Sequence, residues 1–116
     1  MAAKVIEDLK ACGCDTDAAL ERFIGMEDMY VRFLGKFLDD PSFGEIKPHL
    51  DAGDEEAAFK STHTLKGVAG NLGFTELFRI AADMVNRYRA GEQAAAWAHY
   101  DELEQEYNRI ISIIRG

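Results

Sequence analysis

The sequence has little that would cross-link or stiffen the chain: of 116 residues, two are cysteines and two are prolines. Cys12 and Cys14 are separated by a single residue, too close for a comfortable disulfide, and no set of metal ligands accompanies them. We expect two unused thiols rather than a redox pair or half of a metal site. Free thiols fit a reducing compartment.

Long apolar runs are also absent. No stretch approaches the ~20 apolar residues that span a bilayer, and the chain does not open with the pattern of a signal peptide. We therefore expect a cytoplasmic protein without a membrane partner.

Basic residues are in deficit, with 13 lysines and arginines against 21 acidic residues and a net charge of -8. Nucleic acids and anionic membranes attract clustered lysine and arginine, so this balance disfavours both as partners. It is compatible with a protein partner that presents a basic or apolar docking face.

Strand signals are missing as well, and glycines and prolines divide the chain into helical segments. The predicted segments are residues 5–9, 15–23, 27–40, 43–50, 54–72, 75–90, and 92 to near the end. These patterns predict an all-α fold, an antiparallel four-helix bundle with short additional N-terminal helices. We expect one domain spanning residues 1–116.

The segment 54–72 combines a core stripe with a polar face. A rotation of about 100° per residue brings small and apolar residues onto one stripe. The stripe consists of Ala58, Ser61 or Thr62, Leu65, Val68 or Ala69, and Leu72. His63 lies about 200° from Leu65, so its imidazole is predicted to face solvent. Gly73 is a natural cap for the end of this helix.

Two glycines, Gly67 and Gly70, share the face of His63. Glycine inside a helix costs about 1 kcal/mol relative to alanine, so two of them beside one histidine require a reason. We interpret them as flattening the surface, which lets a large partner bring its backbone close to the imidazole.

Lys60 and Lys66 lie one turn before and one turn after His63. Two cations around an exposed histidine in an acidic chain indicate a site for a negative group, and phosphate is the natural candidate. Neutral imidazole is a good nucleophile, and the nitrogen–phosphorus bond that it forms is labile enough to pass the phosphoryl group on. From spacing alone, a metal or general-base role and an ordinary surface histidine remain open.

The stretch "HTLKGVAGNLG" (residues 63–73) resembles the signature of histidine-containing phosphotransfer (HPt) domains of two-component phosphorelays. The matching positions are His63, Leu65, Lys66, Gly67, Ala69, Gly70, Asn71, Leu72 and Gly73. The stretches "AALERFIGMEDMYVRFLGKFLDD" and "LDAGDEEAAFKSTH" resemble the first long helix pair of the family and its usual lead-in. The resemblance therefore covers almost the whole chain.

This resemblance implies that His63 accepts a phosphoryl group, through Nε2, from a receiver-domain aspartate or a hybrid sensor histidine kinase and passes it to a response-regulator aspartate. Lys66 would steady the phosphoryl group, while Gly67 and Gly70 would admit the receiver's loops. Asn71 and Gly73 would support the helix end near the site. No cofactor is expected on this chain, because the receiver would supply the Mg²⁺ ion.

The receiver-docking surface is expected to extend beyond the glycines. Phe59 and Lys60 lie on the face of His63, and Met26 and Met29 precede an apolar helix. Methionines near a docking site make adaptable apolar contacts. We expect the carrier to be a monomer.

Three alternatives stay open at this point. A chemotaxis-type histidine kinase carries a phosphorylatable domain with a similar histidine motif. A helical module that binds receivers without phosphorylation would not need His63 or Lys66. A metal-binding bundle would need ligands at i,i+3 or i,i+4 on facing helices. Because the chain has no Gly-rich phosphate loop or ATP-binding signature, we do not expect autonomous kinase activity.

Overall fold

The structure, a computed structural model, describes the backbone of residues 2–116 and the side chains of residues 4–116. The described chain contains helices and no strand, so the predicted all-α fold is confirmed. The helices are α1 (Ala2–Ala11), α2 (Thr16–Arg22), α3 (Glu27–Phe37), α4 (Ser42–Asp51), α5 (Glu55–Leu72), α6 (Thr75–Arg89), α7 (Gln93–Trp97) and α8 (Tyr100–Arg115). None of the helices within this part of the chain is both long and apolar enough to cross a bilayer.

Helix α5 is the longest element, and α4 and α6 pack along it. Its start is fixed locally: the Asp54 carboxylate accepts a hydrogen bond from the Ala57 backbone N–H at 3.1 Å. Two acidic residues in the first turn complement the helix dipole. The predicted core stripe is buried, and its members are Ala58, Ser61, Thr62, Leu65, Ala69 and Leu72. The Thr62 hydroxyl donates to the Ala58 carbonyl at 2.8 Å, so its burial leaves no unpaired oxygen.

Helix α6 runs antiparallel to α5. The turn between the two helices is made by Gly73, which caps α5 in the left-handed region at φ +80. Near the turn, Phe78 of α6 lies over Gly70. Far from the turn, the ring of Tyr88 stacks on Phe59 at 4.6 Å between centroids. The C-terminal end of α6 therefore lies beside the first half of α5.

The C-terminal end of α5 is held by neighbouring helices. The Tyr30 hydroxyl of α3 donates to the Leu72 carbonyl at 2.7 Å. Arg22 of α2 donates to the carbonyls of Gly70 at 3.0 Å and Asn71 at 3.3 Å. Because the last turn of α5 contains no basic residue of its own, Arg22 supplies the cation that the helix dipole favours there.

Two predicted elements differ from the structure. The N-terminal segment is a helix over Ala2–Ala11 instead of a short turn over residues 5–9. The last predicted helix is divided into α7 and α8, with Ala98 and His99 between them. Long-range contacts explain the division, because Trp97 of α7 donates to Glu55 of α5 at 2.8 Å. Tyr100 at the start of α8 instead stacks on Phe43 at 5.7 Å.

Candidate functional site

His63 lies near the middle of α5 on the face opposite the core stripe. Its side chain is exposed, whereas its neighbour Thr62 is buried. All three histidines fall within the described residues, and the other two, His49 and His99, are half-buried. The ring of His99 lies between carboxylates, with Nε2 3.4 Å from Asp83. His63 is therefore the histidine most accessible to another protein.

A shallow depression surrounds the imidazole. Its walls are Phe59, Lys60, His63 and Thr64 of α5, and Arg89 at the end of α6. The depression is open to solvent, and nothing in its shape would exclude water from a small substrate. It therefore suits a group that another macromolecule delivers and covers, rather than a small molecule that the site must enclose.

The two lysines predicted around His63 differ in their surroundings. Lys60 is exposed, and its ammonium lies 3.4 Å from the Glu56 carboxylate one turn earlier. Lys66 is half-buried. Among the described side chains, no carboxylate lies within 4.0 Å of the Lys66 ammonium. Lys66 is thus the lysine whose charge is left available to an incoming anion.

Aromatic rings connect the site to α6. Phe59 is half-buried, its ring stacks on Tyr88 at 4.6 Å with an interplanar angle of 19°, and its centroid is 6.2 Å from that of His63. The guanidinium carbon of Arg89 lies 5.5 Å from the Phe59 centroid, a cation–π distance. Phe59 is therefore near both the imidazole and a cation from the neighbouring helix.

The two glycines of the motif have different environments. At Gly67, an added Cβ would meet no atom within 4 Å, so the surface there is flat and open. At Gly70, an added Cβ would lie 3.1 and 3.2 Å from ring atoms of Phe78. Packing against the Phe78 ring therefore gives Gly70 a second reason to be a glycine, and its docking role stays a prediction.

The remaining predicted residues lie toward the C-terminal end of α5. Asn71 is exposed, and Gly73 is buried at the turn. Met26 and Met29 are exposed and precede Tyr30, whose hydroxyl donates to the Leu72 carbonyl. Leu72 itself lies nine residues after His63, about 13 Å along the helix axis. The methionines do not line the depression around the imidazole, and their docking role stays a prediction.

Sequence reasoning missed Arg89 as a wall of the depression around His63 and Tyr88 as the ring that stacks on Phe59. A usable signal was the turn at Gly73. Two antiparallel helices joined there bring residues at similar distances from the turn together, which pairs Phe59 with Tyr88 and leaves Arg89 beside the imidazole. Within residues 4–116, no cluster of three or more histidine, cysteine or acidic side chains is arranged to hold a metal ion.

A family model described as an Hpt domain matches residues 18–113, which is most of the chain. The chain belongs to the Hpt family. The match includes His63 and leaves out α1. Hpt domains are phosphocarrier modules that interact with receiver domains or kinases in phosphorelays. The chain therefore has a histidine phosphotransfer role in two-component signalling. No curated protein and no solved structure matches it.

Proposed function

We propose that His63 is the phosphorylated residue of this Hpt domain. It accepts a phosphoryl group from an aspartate of a receiver domain or of a hybrid sensor histidine kinase, and it donates that group to the aspartate of a response regulator. One observation carries the proposal: an exposed imidazole lies in the middle of α5, with open space over the adjacent Gly67.

The transfer is a substitution at phosphorus. The Nε2 lone pair of neutral His63 attacks the phosphorus of an aspartyl phosphate, while Nδ1 keeps its proton. The phosphorus–oxygen bond to the aspartate breaks, and the carboxylate leaves with the bonding electrons. The same steps in reverse pass the phosphoryl group to the next aspartate. The receiver is expected to contribute the Mg²⁺ ion, because its own carboxylates are suitable ligands.

Lys66 is proposed to stabilise the phosphoryl oxygens during transfer. It lies at i+3 from His63, so the two side chains are neighbours on the helix surface. Its position is half-buried, and its ammonium has no carboxylate partner within 4.0 Å in the described part of the chain. A cation without a carboxylate partner gains more from a dianionic group than a paired lysine does. Lys60, already paired with Glu56, is proposed to contact the receiver instead.

The receiver is proposed to dock over Gly67, where the surface is flat. A second surface continues from there toward α3. It is an apolar groove with the cations Arg22 and Lys36 at its edge, and its apolar lining residues are Phe23, Phe33, Phe37, Val68 and Leu72. Met26 and Met29 extend this apolar surface along α3. A receiver that covers both regions would bury the imidazole together with its own aspartate.

The phosphorylation site is tested with a receiver domain carrying labelled phosphate on its aspartate. His63→Gln should abolish label transfer while the circular dichroism of the domain stays unchanged. His49→Gln is the matched control, because it removes a half-buried histidine and should retain the label. Label that persists in His63→Gln and disappears in His49→Gln would contradict the proposal.

The docking surface is tested separately, by binding to an unphosphorylated receiver. Gly67→Gln adds bulk to the flat surface and should weaken binding about tenfold or more, equivalent to at least ~1.4 kcal/mol. Gly44→Gln is the control, because Gly44 is also an exposed helix glycine with no atom within 4 Å of an added Cβ. Equal affinity of the two variants would show that the surface at Gly67 is not used.

A further inference from the structure

A histidine at the junction between α7 and α8 faces acids from two helices. His99 is the N-cap residue of α8, and its ring is half-buried. Its Nε2 atom lies 3.4 Å from the Asp83 carboxylate of α6, and its Nδ1 atom lies 3.4 Å from the Glu102 carboxylate of α8. Each ring nitrogen therefore has its own carboxylate, and the ring connects the start of α8 to α6.

His99 is also the centre of a row of ionisable side chains in which neighbours lie 2.7 to 3.7 Å apart. In order, the row consists of Glu76, Arg79, Glu102, His99, Asp83 and Arg87. The sign of the charge alternates along the row everywhere except at its centre, where a neutral ring would separate two carboxylates. A proton on His99 completes the alternation.

The charge state of the imidazole determines how many carboxylates it can contact favourably. A neutral imidazole has a proton on one nitrogen and a lone pair on the other. In the position of His99, that lone pair would point at a carboxylate. An imidazolium has a proton on each nitrogen and can donate to both acids. Histidine is the side chain whose ordinary titration lies between pH 5 and 8, so this difference arises in a mild pH range.

Other charges near the ring act on that proton. Arg79 and Arg87 oppose it, although each lies within 3.7 Å of a carboxylate of the row. The N-terminal end of α8 also disfavours a cation, and Asp101 and Glu102 in its first turn offset this effect. Hydrogen bonding to Arg87 lowers the pKa of the Asp83 carboxyl below its usual value. The acid that faces Nε2 therefore stays charged while a histidine titrates.

We propose that His99 is a proton-dependent bridge between α6 and the start of α8. As the pH falls through the range in which histidines titrate, the ring takes up a proton, contacts Asp83 and Glu102 together, and fixes the first turn of α8 to α6. As the pH rises, the ring keeps one carboxylate and releases the other. The break between α7 and α8 is then the place where the fold responds to pH, and this response does not depend on phosphorylation of His63.

The double contact is tested by an NMR titration of the full chain between pH 8 and pH 5.5. The side-chain carboxyl ¹³C resonances of Asp83 and Glu102 should both shift with the midpoint of the His99 ring, although carboxylates ordinarily stay ionised in this range. The carboxyl resonance of Glu76, at the end of the row, is the internal reference and should stay in place. A shift of one of the two carboxylates alone, or of neither, would overturn the proposal.

The effect on the fold is measured by hydrogen exchange. The Leu103 backbone N–H donates to the His99 carbonyl at 3.0 Å in the first turn of α8. Its protection factor, which corrects for the pH dependence of intrinsic exchange, should be about threefold higher at pH 5.5 than at pH 8, the size expected of partly exposed ion pairs. His99→Gln should remove this gain, and His49→Gln is the matched control that should keep it. A wild type without the gain, or a gain that persists in His99→Gln, would overturn the proposal.

The contribution of the second carboxylate has its own readout. Glu102→Gln should abolish most of the threefold gain, because a neutral ring can already donate to the carboxylate of Asp83. Glu104→Gln is the matched control, since it removes the same charge from the same helix two residues away, and it should keep the gain. Equal gains in the two variants would show that Glu102 is not part of the bridge.

Discussion

Gly67 and Gly70 lie less than one turn apart on α5, yet a methyl group at Gly67 would meet open space and one at Gly70 would meet the Phe78 ring at 3.1 Å. The first glycine belongs to the open middle of the helix, around His63. The second belongs to the packed end, where Arg22 and Tyr30 donate to backbone carbonyls. One motif therefore contains glycines that are required for two different physical reasons.

The difference shows that the two parts of α5 have different functions. The packed end fixes α5 against α2, α3 and α6, so the imidazole is presented on a rigid element. In the open middle, Gly67 costs about 1 kcal/mol of helix stability relative to alanine, and no packing contact offsets that cost. A residue that is unfavourable for folding and unexplained by packing is expected at a functional surface.

The largest effect on stability is expected at Gly73, in the packed end. Gly73→Ala would place a Cβ in steric overlap with the Asp15 carbonyl oxygen, in a backbone conformation with φ +80. Clash and strain together should lower the free energy of unfolding by about 3 kcal/mol or more. Gly53→Ala is the control: its φ is +77, but an added Cβ meets nothing within 4 Å, so about 1 kcal/mol is expected. Equal losses in urea denaturation would show that the contact with Asp15 is unimportant.

The second largest effect on stability is expected at alkaline pH, and it also arises in the packed end. Burial raises the pKa of the Cys14 thiol to about 11 from its usual value of 9.0. Between these values the unfolded chain has lost a proton that the folded chain keeps, so stability falls as pH rises, by about 2 kcal/mol at pH 11. Burial also raises the pKa of Tyr30 above its usual value near 10.

The Cys14→Ala variant isolates the first of these groups. Its loss of stability should begin nearer pH 10, where Tyr30 still contributes, and it should be smaller than in the wild type. Cys12→Ala controls for removal of a thiol and should keep the wild-type profile. If Cys14→Ala loses stability from pH 9 as the wild type does, the thiol is not the responsible group.

Alanine variants of Gly67 and Gly70 should differ in their free energy of unfolding. Gly67→Ala should gain about 1 kcal/mol in the free energy of unfolding from helix propensity alone. In Gly70→Ala the same gain is offset, because the ring of Phe78 must move by a few tenths of an ångström. The first variant is therefore expected to be about 1 kcal/mol more stable than the second. Equal stability would remove the distinction between the open and the packed glycine.

The smallest effect on stability is expected for Lys66, in the open middle. Lys66→Ala should change the free energy of unfolding by less than about 0.5 kcal/mol while slowing phosphoryl transfer about tenfold or more. Lys47→Ala is the control, since Lys47 is exposed on α4 and ion-paired with Asp51 at 3.8 Å. Its transfer rate should match that of the wild type, and an equal rate for Lys66→Ala would remove the proposed role of that lysine.

The sequence predicted α5 well because its signals are local. The Asp54 cap, the acidic first turn and Gly73 define the ends of the helix, and the 3.6-residue period defines its buried stripe. The same period predicted that His63 faces solvent, and the structure agrees. These inferences use only residues within α5 and need no information about the helices that pack against it.

The features that depend on two helices were not predicted. The break between α7 and α8 follows contacts of Trp97 with Glu55 and of Tyr100 with Phe43, and neighbouring residues carry no breaker signal. The contacts of Gly70 with Phe78 and of Phe59 with Arg89 likewise depend on the register between α5 and α6. That register is set by side-chain packing across the helix pair, which a period along one helix does not contain.

The central claim is that one accessible imidazole in the open middle of α5 carries the phosphoryl group. The most direct measurement is the ¹⁵N–³¹P coupling in the phosphorylated domain with ¹⁵N-labelled histidine rings, because it identifies both the residue and the nitrogen. We predict a single coupling, to Nε2 of His63. A coupling to His49 or His99, or a phosphorylated domain without any nitrogen–phosphorus coupling, would contradict this account.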